Sequence, residues 1–85
     1  MDEYPAEQQI FNVFGCDIAI ESTLLAEALS SLPDKKRDII LLYHFLGLTD
    51  QEIGKLLNMI RTSVQYHRTS TLQLLKKIME EKINE

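Results

Sequence analysis

The chain has 85 residues, 45% of them hydrophobic and 26% charged, with a net charge of −4; this is the composition of one small folded domain and not of a disordered chain. No apolar run approaches the roughly 20 residues that a membrane span needs, and the acidic opening "MDEYPAEQQ" lacks the basic segment of a signal peptide. Cys16 is the one cysteine, so no internal disulfide forms and a reducing cytoplasm is the simplest setting.

The pattern along the chain predicts an all-α fold. It is a small helical domain of about four helices containing a helix-turn-helix, preceded by a short extended or β-hairpin N-terminal arm. The expected boundaries are an arm over 1–21, a helical domain over 22–80 and an acidic tail over 81–85. In the arm, Ile10, Phe11, Val13 and Phe14 precede Gly15, and Ile18 and Ile20 follow Asp17. β-branched and aromatic residues on both sides of a glycine read as a hairpin or as one extended strand. A lone hairpin is marginal in water, so it either lies as a flap over the helices or serves as a strand for dimerisation or partner docking.

The first helix is expected from Ser22, a good N-cap, to Ser31, with Leu24, Leu25, Ala28, Leu29 and Leu32 as its apolar stripe. Pro33 breaks the chain and fits the first turn of a second helix over 34–46. That helix carries Asp34 at its start, favourable to the helix dipole. "IILLYHFL" is apolar nearly all round, as in a helix buried between others. Gly47 is the expected left-handed C-cap. A third helix opens with "TDQE", a capping box between Thr49 and Glu52. Ile53, Leu56 and Leu57 are its inward residues. Gly54 costs about 1 kcal/mol against alanine in a helix, which makes sense where another helix passes close. Asn58 tolerates the positive φ of a tight corner, and Met59 follows as a buried residue. The fourth helix is expected over 61–80, with Val64, His67, Thr71, Leu75 and Ile78 inside and Leu72, Leu74 and Met79 broadening that seam. Arg61, Thr62, Gln65, Tyr66 and Thr69 then face outward. Tyr43 and the phenylalanines have the spacing of packing residues.

Charge is distributed unevenly. Residues 1–34 hold seven acids and no lysine or arginine, whereas residues 53–79 hold Lys55, Arg61, Arg68, Lys76 and Lys77 and no acid. Such a field orients a domain with its basic end toward phosphate; a merely solvated face is the plainer alternative. The third and fourth helices, joined by a short corner, have the pattern of a helix-turn-helix, in which the second helix lies in the major groove. Enzyme chemistry has no support. Cys16, His44 and His67 lack ligand-like spacing, and there is no phosphate loop, metal motif or nucleophile elbow. No cofactor, metal or small-molecule substrate is expected.

The run "ALSSLPDKKRDIILLYHFLGLTDQEIGKLLNMIRTSVQYHRTSTLQLLKK", Ala28 to Lys77, resembles region 4 of the sigma-70 family of bacterial transcription initiation factors. The resemblance lies in Ala28, Leu29, Leu32 and Pro33, then "IILLYHFLGLT", "QEIGKLL" and the "RTSV" opening of the last helix. It looks most like sigma-like regulators on mobile elements of Gram-positive bacteria. The resemblance implies recognition of a −35-type element in double-stranded promoter DNA and docking on the β flap of core RNA polymerase. By position in the motif, Arg61, Thr62, Gln65 and Tyr66 would read bases, with Arg61 suited to guanine and Gln65 to adenine. Lys35, Lys36, Arg37, Thr49, Ser63, His67, Arg68 and Ser70 would touch phosphates. The chain departs from the family at Ile60, where a polar cap is usual. It departs again at His67, an inner position that is normally apolar; a partly buried neutral histidine and a pH-sensitive phosphate contact are the two readings there. It also lacks region 2, so it is either an excised domain or a protein that cannot initiate transcription alone. An alternative from another class is a protein-interaction module, a dimer or a regulatory partner, on a helix-turn-helix scaffold without strong DNA binding of its own.

Overall fold

The computed structural model describes residues 9–83. Two strands, β1 (Gln9–Val13) and β2 (Cys16–Ile20), precede four helices: α1 (Thr23–Ser30), α2 (Asp34–His44), α3 (Asp50–Leu57) and α4 (Arg61–Ile83). The arm is thus a hairpin. Its strands pair antiparallel with Phe11 opposite Ile18 and Val13 opposite Cys16. Phe14 and Gly15 make the two-residue turn, both with positive φ (51° and 82°), as a type I′ turn requires. Alternation sends Phe11, Val13, Ile18 and Ile20 into the core, and β1 packs on α2 while β2 packs on α1. The outer ends are tied as well. The Gln9 amide donates to the Ser30 hydroxyl (3.2 Å), and the Arg37 guanidinium lies 5.6 Å from the Phe11 ring centroid. The flap reading of the arm matches this packing.

The Leu25 amide donates to the Ser22 side chain, which caps α1. Pro33 falls one place earlier than expected, at the N-cap of α2 and not inside its first turn. In α2, Ile39, Ile40, Leu41 and Leu42 are all buried, each worth about 1.5–3 kcal/mol relative to exposure. The burial ends sooner than the apolar run does. Helix α2 stops at His44, and Phe45 (43%) and Leu46 (38%) stand exposed before Gly47 turns the chain at φ +74°. Phe14 is also exposed, so of the three phenylalanines only Phe11 is a core residue. His44 is an exposed edge residue with its ring edge against Tyr43.

The capping box of α3 is complete. The Glu52 amide donates to the Thr49 hydroxyl (3.1 Å) and the Thr49 amide to the Glu52 carboxylate (2.9 Å). Ile53 and Gly54 are buried and Leu57 is half-buried, but Leu56 is 45% exposed and does not face inward. Asn58 takes the left-handed conformation (φ 60°, ψ 48°), and the Met59 amide returns to the Gly54 carbonyl at 2.8 Å. Met59 is half-buried, not buried. The close neighbour of Gly54 is the corner itself more than a passing helix. A Cβ there would collide with the Met59 carbonyl oxygen and lie 3.6 Å from a Val64 methyl. Along α4, Val64, Thr71 and Leu75 are buried, with His67, Leu72, Ile78 and Met79 half-buried beside them. Leu74 is 41% exposed and leaves the seam. The helix continues through Glu81, Lys82 and Ile83, which the sequence reading assigns to the tail, and Lys82 meets Glu27 of α1 at 3.6 Å.

Candidate nucleic-acid interface

Helices α3 and α4 are joined by three residues and pack on each other, with α2 behind both. The back of α4 is fixed by Val64 and Thr71, which are 0% and 2% exposed. The front at its N-terminal end is open. Arg61, Thr62, Gln65, Tyr66 and Thr69 are exposed, Tyr66 at 67%. Positions i, i+4 and i+8 stack on one helical face, so these side chains form a single strip of donors and acceptors. A helix about 10–12 Å across fits a major groove about 12 Å wide.

The other candidates sort by whether their polar groups are already engaged. Lys35 is exposed and Lys36 half-exposed at the start of α2. Arg37, beside them, is taken up by Asp34 (3.4 Å) and Asp38 (3.1 Å). The Thr49 hydroxyl accepts the Glu52 amide, which leaves its own hydrogen for an outside acceptor. Ser63 is half-buried. His67 is half-buried too, its ring 5.5 Å from the Tyr66 ring in an edge arrangement. The Ser70 hydroxyl donates to the Tyr66 carbonyl (2.8 Å).

Arg68 is the most thoroughly committed. Its Nε and Nη2 donate to the two oxygens of Asp50, each at 2.8 Å. Its guanidinium lies 4.0 Å from the Tyr43 ring centroid, and both charged side chains are only about 15% exposed (16% and 15%). The hydrogen bonds from Arg68, helped by its charge and that of Arg61, hold the Asp50 carboxyl below its ordinary value in spite of burial. The Asp50 partnership raises Arg68 in turn. One ion pair thereby joins the first turn of α3 to the second turn of α4 over a side chain of α2.

Gln51 and Lys55 extend the site beyond the residues singled out from sequence. Both are exposed on α3, and both line an open cleft with Asn58, Ile60 and Arg61. Gln51 also shares a second cleft with Tyr43, Thr49, Asp50 and Arg61. Their i, i+4 spacing was the readable signal. Among the described residues, no group of His, Cys, Asp and Glu could hold a metal ion, and no helix is long and apolar enough to cross a membrane.

No curated protein and no solved structure matches the chain. The family model described as Sigma-70, region 4 matches residues 22–75. That span takes in all of α1, α2 and α3 and more than half of α4, the corner and the exposed strip included, and the chain belongs to the sigma-70 region 4 family of DNA-binding domains.

Proposed function

We propose that the chain is the sequence-reading domain of a sigma-70-like initiation factor or regulator, which recognises a −35-type promoter element while docked on the β flap of RNA polymerase. The observation that carries the reading is the exposed strip on α4. Arg61, Thr62, Gln65 and Tyr66 point into solvent from a helix whose opposite face is packed. In the groove, Arg61 pairs with a guanine edge and Gln65 with an adenine edge, while Thr62 and Tyr66 contact neighbouring bases. Lys35, Lys36, Lys55 and the free hydrogen of Thr49 hold phosphates. Arg37, Arg68 and Ser70 have internal partners and act through position. Binding by the isolated chain is weak, because few cations face the duplex, and polymerase supplies the remainder.

The test is a fluorescence titration of promoter duplexes with core polymerase present, using Arg61→Ala and Tyr66→Ala. Each substitution lowers affinity for the preferred duplex by about 5–150-fold, the value of one to three kcal/mol of base contact. Unchanged affinity and unchanged preference in both variants would remove the assignment.

A second reading, a protein-interaction module, draws on the hairpin, where Ile10 (53%) and Phe14 (54%) stand in solvent. In that reading the arm joins two copies or docks a regulator. DNA affinity that falls steeply with salt supports the first reading. A sedimenting dimer that binds no duplex at low salt supports the second.

A further inference from the structure

Ile60 is the most exposed large apolar residue among those described, at 69%. It stands at the tip of α4, where its carbonyl accepts the first helical amide, from Val64, at 3.1 Å. A serine, threonine or aspartate at this place would also satisfy one of the open amides of the helix start, as Thr49 does for α3. The isoleucine forgoes that bond and leaves a branched hydrocarbon in water. Its surroundings are not an apolar patch. The cleft it borders is lined by Gln51, Lys55, Asn58 and Arg61 with Gly54 and the half-buried Met59, and Lys55 and Arg61 make no ion pair among the described residues. A hydrocarbon group set among cations and amides complements a surface of the same mixed kind. The major groove is such a surface: phosphates at its edges, acceptors on its floor, and the thymine methyl as its apolar feature.

We infer that Ile60 reads thymine, packing its side chain on the 5-methyl group of a thymine next to the base pair met by Arg61. The inference rests on the groove reading proposed above and adds a base identity to it. Ile60 lies one residue before Arg61, about 1.5 Å back along the helix axis and about a quarter turn around it, so the two side chains leave the helix in different directions and meet neighbouring rather than identical base pairs.

The experiment uses the full chain with core polymerase present. A preferred duplex is selected from a random pool, and each thymine in it is then replaced singly by deoxyuridine, which removes only the methyl group. At one position the wild-type chain loses about three- to five-fold in affinity, the worth of one buried methyl. Ile60→Ser restores a polar cap, so it melts no lower than wild type, and it binds the thymine and uracil duplexes equally. Uracil swaps that are silent in wild type, or equally harmful in Ile60→Ser, overturn the inference. So does an Ile60→Ser variant that binds polymerase less well with unaltered base preference, since the isoleucine is then a protein contact. Arg61→Ala separates the two levels. If it abolishes base preference while uracil swaps are silent, the thymine contact falls and the groove reading stands; if selection returns no preferred sequence, both fall.

Discussion

At Arg68 two uses of a guanidinium compete, and geometry decides between them. A bidentate pair with two 2.8 Å bonds and an aromatic ring at 4.0 Å is already a complete coordination for the group. Releasing Arg68 to a phosphate would strand the Asp50 carboxylate close to Arg61, whose charge it already feels. Asp50 would then draw Arg61 away from the duplex. Arg68→Ala is therefore expected to weaken DNA binding, and Asp50→Ala in the same chain to restore part of it; a double-mutant cycle on affinity measures the coupling. Stability carries a pH signature of the same pair. A carboxyl held below its ordinary value releases its proton more readily folded than unfolded. Its contribution is therefore whole above the unfolded pKa of about 3.9 and is lost as pH falls through the folded value. Asp50→Asn should cost about 1–2 kcal/mol at neutral pH, between the exposed and buried limits for ion pairs. That deficit should vanish in urea melts taken at acid pH. The buried hydroxyl of Thr71 makes the opposite case. It has no hydrogen-bond partner among the described residues, so Thr71→Val, of nearly the same shape, should raise stability by about 1 kcal/mol, read from the same melts.

Two tight corners of the fold, at the hairpin and between α3 and α4, place residues with side chains in backbone conformations that most residues resist. At the α3–α4 corner the sequence matches the demand. Asn58 tolerates left-handed φ, and Gly54 leaves room for the Met59 carbonyl. Because the obstruction is backbone, Gly54→Ala cannot be relieved by a rotamer change. It should lower stability by about 2 kcal/mol or more despite its better helix propensity, and lower DNA affinity by tilting α4. At the hairpin the match is incomplete, since Phe14 adopts φ 51°, a conformation costing roughly 1–2 kcal/mol for a residue with a side chain. Phe14→Asn produces the Asn-Gly pair that type I′ turns favour and should raise the melting temperature by several degrees for about 1 kcal/mol gained. A fall instead would mean that the half-exposed ring has a partner. These corners also mark what was legible in the sequence. Glycine, asparagine and the Thr49–Glu52 box act locally, so the helix starts and the helix-turn-helix corner could be read directly. Leu56, Leu74, Phe45 and Leu46 could not be placed, because their exposure depends on where neighbouring helices end, which periodicity does not encode. The outward strip of Arg61, Thr62, Gln65 and Tyr66 followed from helical period alone, whereas the pairing of Arg68 needed two residues 18 apart to be brought together.

For the whole molecule the question is how a chain of net charge −4 approaches a polyanion. The Lys82–Glu27 pair sets α1 beside the far end of α4, 21 residues beyond Arg61, or about 32 Å of helix. That exceeds the Debye length of about 10 Å at 0.1 M salt, so the acid of α1 is screened from the reading tip while local cations are not. Of the nine lysines and arginines, Arg37, Arg68 and Lys82 are tied in ion pairs. In the proposed complex the field at the duplex comes from Lys55 and Arg61, with Lys35 and Lys36 behind them and Lys76 and Lys77 farther along α4. Each phosphate neutralised contributes about −0.9 to the slope of log affinity against log salt. Above 0.1 M salt, Lys55→Gln should make that slope shallower by about 0.9. Arg68→Ala combined with Asp50→Ala should leave the slope unchanged, since the two charges already neutralise each other. Glu27→Gln should change neither, although at tenfold lower salt, where the Debye length reaches about 30 Å, it should raise affinity. Titrations of the three variants across salt concentration test the arrangement together. A slope that flattens for the Arg68→Ala, Asp50→Ala chain as much as for Lys55→Gln would mean that the pair opens on DNA, and that the cation count at the interface is larger by one.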